Sequence, residues 1–148
     1  MAVIYLVTAG EVESGPDPSI VGTARTKCRE LRHYLPQYPI KVVTGQGARH
    51  WQLAAHILGL AAQVEYSAVF GSATMMIEGG QKEVLTRETV LEKIRALPNM
   101  TVVCTDADLL VWAFGIPTER VKLGAVYTVE VTDRAVHMPQ FVGGVSED

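Results

Sequence analysis

Two cysteines and four histidines are all that 148 residues supply of those types, and no stretch is strongly basic. Each shortage excludes something. Cys28 and Cys104 fall on a predicted helix and a predicted strand among apolar neighbours, which fits two reduced, buried thiols rather than a disulfide framework. His33, His50, His56 and His137 lack metal-ligand spacing. His50 and His56 come nearest, but on a helix they are out of phase, so neither a metal nor a cofactor is expected. With 13 Lys+Arg against 16 Asp+Glu, the formal charge of -3 gives no general pull toward nucleic acid or anionic membrane. The densest basic stretch, Arg25 to Arg32, is interrupted by Glu30 and reads as a solvated helix face. No window approaches the length of a membrane span. The apolar start lacks the basic and long hydrophobic regions of a signal peptide, so a cytoplasmic monomer or small homo-oligomer is the expectation.

What is present is ordinary globular material, 48% hydrophobic and 20% charged, enough for a single domain over residues 1–148 with a sizeable core. Ile4 to Val7 reads as a buried strand running into Thr8-Ala9-Gly10-Glu11, and Glu11 to Ser19 as a loop. Asp17 or Ser19 can cap a helix with Ile20, Val21, Ala24, Cys28, Leu31 and Leu35 on one face, stopped by Pro36. Ile40 to Thr44 is a second strand. Gly45-Gln46-Gly47 turns the chain into a helix with Trp51, Ala54, Ala55 and Leu58 inward. Val64 to Tyr66 is a short strand, and Phe70 to Gln81 a long loop. Thr86 caps a helix carrying Val90, Leu91, Ile94 and Leu97. Thr101 to Cys104 is a buried strand, followed by a helix from Asp106 to Phe114 that Gly115 closes. Ala125 to Val131 pairs with Ala135 to Met138 in a C-terminal β-hairpin. This alternation predicts an α/β fold with three layers, α/β/α, around a mainly parallel sheet.

Reactive groups of such sheets lie beyond the carboxyl ends of the strands. Gly45-Gln46-Gly47-Ala48-Arg49-His50 opens a helix, with Glu65 about twenty residues on, and so partly fits a dinucleotide fingerprint. The third glycine of that pattern is His50, so a plain glycine turn is the better reading. Asp106 and Asp108 follow a buried strand, as paired carboxylates around magnesium would. Helix capping by Thr105 or Asp106, with Asp108 favouring the dipole, accounts for them more simply. Arg49, in the first turn of its helix, should face the crevice where anions bind.

Taken together, three stretches resemble the histidine phosphatase superfamily, the phosphoglycerate mutase-like fold: IYLVTAGE, VVTGQGARHWQLAAHIL and TVVCTDADLLVWAFGIP. LGAVYTVEV is similar to that family's final strand. The resemblance implies an opening Arg-His-Gly-Glu motif whose histidine is phosphorylated, and two arginines and a second histidine on the phosphoryl oxygens. A carboxylate often serves as general acid. Carried over, the first arginine is Thr8, the nucleophile is Ala9, the second histidine is Asp106, and the acid falls near Ser67. Gly10, Glu11 and Arg49 remain.

The resemblance therefore implies an inactive relative with a vestigial pocket of Gly10, Glu11, Arg49, His50, Thr105 and Asp106. Its role would be binding or regulation through a small anionic ligand or a protein partner. A methyl group has no lone pair for phosphorus, which closes the covalent route. Arg49 is expected to pair with Asp106 or Glu11, because opposite charges sharing a crevice are costly to leave apart. The alternative is a hydrolase of altered chemistry, using Asp106 and Asp108 with a divalent metal, or Glu11 as a base.

Overall fold

The computed structural model describes residues 1–10, 22, 27–39, 41–45, 47–58, 64–70, 74–76, 82–84 and 86–145. The strands are β1 (Ala2–Thr8), β2 (Lys41–Thr44), β3 (Val64–Tyr66), β4 (Thr74–Met76), β5 (Lys82–Val84), β6 (Thr101–Thr105), β7 (Ala125–Val131) and β8 (Gln140–Gly144). The α-helices are α1 (Ala48–Leu58), α2 (Arg87–Arg95) and α3 (Ala107–Phe114). Short 3-10 helices span Arg29–Tyr34, Ala68–Phe70 and Thr118–Arg120.

Six strands form one sheet in the order β3-β2-β6-β1-β7-β8. β3, β2, β6 and β1 are parallel neighbours, while β7 runs antiparallel to β1 and β8 antiparallel to β7. Alternation along the strands sends side chains to two faces, and each face has its own core. Ile4, Leu6, Val43, Val103, Tyr127 and Val129 pack with Val90 and Ile94 of α2 and with Leu109, Leu110 and Ala113 of α3. On the opposite face Val7, Val42, Val102, Cys104 and Val126 pack with Cys28, Leu31 and the α1 residues Leu53, Ala54 and Ile57. The three layers expected from the sequence are these two helical layers and the sheet between them. Both thiols are reduced and buried as expected. Burial pushes the Cys28 thiol up and the Cys104 thiol up to about 12, which leaves neither of them a ready thiolate. No described helix is long and apolar enough to cross a membrane.

Local signals explain several boundaries. Thr86 caps α2, its hydroxyl accepting the Thr89 amide at 3.2 Å. Gly115, at φ 71°, ends α3 in the left-handed region that glycine enters without a Cβ clash.

Three expectations need correcting. The stretch from Phe70 to Gln81 is not all loop: β4 pairs with β5 in a separate two-stranded sheet. The C-terminal hairpin returns later than expected. β7 pairs with Gln140–Gly144, and residues 135–138 contribute one isolated bridge, Val131 to Val136. Trp51 is 47% exposed rather than inward, because Leu53, Ala54 and Ile57 form the buried face of α1. The first part of the predicted helix, including Ile20, Val21 and Ala24, lies outside the described residues, and its last part holds the 3-10 turn Arg29–Tyr34 with Leu31 buried.

Candidate functional site

The parallel strands β1, β2, β3 and β6 end at one edge of the sheet, and β7 starts there. That edge gathers Thr8 to Gly10, Gly45, Gly47 to His50, Ser67, Thr105 and Asp106.

The turn from β2 into α1 is shaped by His50. Its ring is 1% exposed. A Cβ on Gly45 would fall within contact distance of that ring and 2.9 Å from the Phe70 carbonyl oxygen. Glycine at this position makes room for the imidazole. The Gly47 amide donates to His50 Nδ1 at 3.2 Å. An amide can only donate, so Nδ1 carries a lone pair and the ring proton sits on Nε2. His50 Nε2 then donates to Asp106 Oδ2 at 2.8 Å.

Arg49, the neighbouring residue, approaches the same carboxylate as a fork. Its Nε donates to Asp106 Oδ1 at 2.7 Å and its Nη2 to Oδ2 at 2.5 Å. Both side chains are 18% exposed. Two parallel charge-assisted bonds fix orientation as well as energy. Asp106 stands at the N-cap of α3 but gives the helix no side-chain bond, so the expected cap is absent and the carboxylate is spent on α1 instead. Burial pushes the Asp106 carboxyl up. The hydrogen bonds from His50 and Arg49, with the guanidinium charge behind them, outweigh that and hold it below its usual value of 3.8. The sequence expectation of an Arg49 salt bridge is met by Asp106, and His50, which nothing in the sequence oriented, is the third member.

The end of β1 is built differently. Thr8 is fully buried, and its hydroxyl donates to the Lys122 carbonyl at 2.8 Å while accepting the Ala125 amide at 3.0 Å. Gly124 donates to the Ala9 carbonyl at 3.2 Å, and the Ala9 amide donates to Thr105 at 2.9 Å. The Ala9 side chain is 2% exposed and belongs to the core that holds Cys28 and Leu31. Its methyl group is core material. Gly10 is half-buried, and Glu11 lies outside the described residues.

Of the remaining candidates, Thr105 donates its hydroxyl to the Phe70 carbonyl and so ties β6 to the turn after β3. Ser67 is half-buried and held by its amide to the Thr44 carbonyl at 2.8 Å. Among the described residues its hydroxyl makes no bond to Asp106. Asp108 is exposed in the first turn of α3, apart from the Asp106 cluster. Among the described residues no three His, Cys, Asp or Glu side chains gather as metal ligands would. Sequence reasoning missed Phe70, Lys122 and Ala125, whose backbone groups satisfy the threonines. Only the paired glycines ahead of His50 hinted at a wedged ring.

No protein-family model matches the sequence, and no curated protein matches it either. Solved structures do. A mycobacterial glucosyl-3-phosphoglycerate phosphatase in complex with VO3 matches at TM-score 0.66 and 11% identity, covering 99% of this chain and 100% of that one. The α-ribazole phosphatase from Shigella flexneri matches at TM-score 0.64 and 12% identity, over 92% and 94%. A protein described as mycobacterial hydrolase 1 matches at TM-score 0.66 and 9% identity, over 99% of both chains. The fold is that of the histidine phosphatases. It is the phosphoglycerate mutase-like architecture over nearly the full length, and at these identities the likeness speaks for architecture alone.

Proposed function

We propose that this chain is a degenerate member of the histidine phosphatase superfamily that carries out no phosphoryl chemistry and acts by binding. The observation that carries the reading is the carboxylate of Asp106, gripped by Arg49 and His50 at the sheet edge where that fold handles phosphate. In the alignment proposed above, Asp106 stands for the second histidine, Ala9 for the nucleophile and Thr8 for the first arginine. A phosphoryl group needs several cationic donors. Here the one arginine of the set is neutralised by the chain's own anion, and alanine cannot form a phosphoenzyme. Loss of a nucleophile costs about 10⁶-fold in a triad hydrolase, which sets the scale of the deficit.

The geometry favours a protein partner over a small anion. An anion entering the pocket would have to displace Asp106 from a fork of two short bonds, whereas an outer surface needs no such rearrangement. The metal-dependent alternative is disfavoured on the same ground, since both Asp106 oxygens are engaged and Asp108 is solvent-exposed. The test is turnover of p-nitrophenyl phosphate and of a phosphohistidine peptide, with Arg49→Ala as control. We expect no turnover above the control. Activity that disappears with Arg49→Ala would sink the proposal.

A further inference from the structure

The densest basic stretch of the sequence takes no part in the Asp106 cluster. Residues 25 to 32 hold four of the chain's 13 Lys+Arg but one of its 16 Asp+Glu, so positive charge is concentrated there in an otherwise acidic protein. The structure winds the end of this stretch, Arg29–Tyr34, as a 3-10 helix on the face that also carries α1. With three residues per turn, side chains at i and i+3 eclipse, and the helix has three rows. Leu31 and Tyr34 form the inward row. Leu31 is buried, and the Tyr34 ring lies where a side chain on Gly143 would be, which seats the last turn on β8. Glu30 and His33 form a second row. Arg29 and Arg32 form the third, and both are exposed. Among the described residues neither arginine makes an ion pair. Stacked about 6 Å apart along the axis, the two guanidiniums repel each other, and among the described residues no carboxylate relieves them.

We infer that this arginine row docks an extended acidic segment of a partner protein. The inference rests on the reading of the chain as a binding protein and gives that reading a surface. Spacing sets the shape of the partner. Side chains on one face of an extended chain repeat every two residues, about 6.6 Å, close to the rise of about 6 Å between Arg29 and Arg32. Carboxylates at alternate positions therefore meet the two arginines in turn, each guanidinium offering a planar fork to one carboxylate. The platform is preorganised, because Leu31 in the core and Tyr34 against Gly143 hold the helix before a partner arrives. A nucleic acid fits less well. Its affinity rises with the number of phosphates neutralised, and this row neutralises two.

Fluorescence anisotropy of a labelled octapeptide of alternating glutamate and threonine, with the full chain at low salt, should show saturable binding that fades as salt rises. The alternating glutamine and threonine peptide should not bind. Arg29→Gln with Arg32→Gln should weaken binding of the glutamate peptide by about tenfold, the scale of two exposed ion pairs. Arg87→Gln with Arg95→Gln removes the same charge from α2, on the opposite face of the sheet, and should leave binding unchanged. Circular dichroism shows whether each variant is folded. No saturable binding, equal weakening in both double variants, or tighter binding of an oligodeoxythymidine would overturn the assignment. None of these readouts involves turnover. Their failure leaves the absence of phosphoryl chemistry standing, whereas turnover of p-nitrophenyl phosphate sinks that reading whatever the peptide does.

Discussion

The ends of β1 and β6 lie side by side at one sheet edge, and in the proposed alignment each departs from the residues that the fold's phosphatases carry there. At β1 the departure is uncharged, and the molecule has absorbed it. The Thr8 hydroxyl staples the Lys122–Ala125 backbone, and the Ala9 methyl has joined the core. At β6 the departure is an anion, and the molecule has gathered donors around it: a guanidinium fork and an imidazole proton converge on Asp106. The difference follows from solvation. A buried hydroxyl or methyl is settled by local backbone and packing, while a half-buried carboxylate needs a counter-charge or must give up its own.

The comparison is broken hardest at Asp106. Asp106→Ala leaves the part-buried Arg49 without its carboxylate and should lower unfolding stability by about 3 kcal/mol in urea melts. Replacing the pair together, as Arg49→Met with Asp106→Leu, should restore the part of that loss that comes from the unmatched charge, while the buried His50 Nε2–H still lacks its acceptor. Gly45→Ala comes next. The new methyl meets both the His50 ring and the Phe70 carbonyl, and overpacking of this kind should cost about 2 kcal/mol. Thr8→Val keeps the shape but strands the Ala125 amide and the Lys122 carbonyl, for a loss of about 1 kcal/mol or somewhat more. If Thr8→Val proves as costly as Asp106→Ala, the contrast between the two strand ends fails.

The smallest effect is in pH. The folded Asp106 carboxyl titrates below its unfolded value of 3.8, so its contribution is fully present above 3.8 and is lost as pH falls through the depressed folded value. Acid titration of stability should therefore show a slope below pH 3.8 that Asp106→Asn lacks.

Much of the scaffold was legible in the residues. The α2 cap at Thr86, the stop at Gly115 and the buried run from Thr101 to Cys104, which the structure extends by Thr105, all announce themselves through turn chemistry and periodicity. The Arg49 ion pair was legible as a pairing with Asp106 or Glu11, from the resemblance that sets these residues in one pocket and the cost of leaving opposite charges apart, and the structure shows Asp106. His50 was not. It takes a core position on α1, in phase with Leu53, Ala54 and Ile57, because Asp106 and Gly47 supply its polar partners. A pattern of apolar residues passes over a histidine and assigns the face to Trp51 instead. The β4–β5 pair escaped because three-residue strands are too short to show alternation. β8 escaped for a different reason. Its glycines are poor strand formers, and Gly143 is glycine because the Tyr34 ring lies where a side chain would be.

The central claim is that the chain's own carboxylate fills the place of a phosphoryl group. It is tested most directly by following the Arg49 Nε and His50 ring nitrogens by NMR while inorganic phosphate is added. The account predicts no saturable shift in the wild type, and a saturable Arg49 shift in Asp106→Ala, where the competing carboxylate is gone. A saturable response in the wild type, with Asp106 still in place, would contradict it.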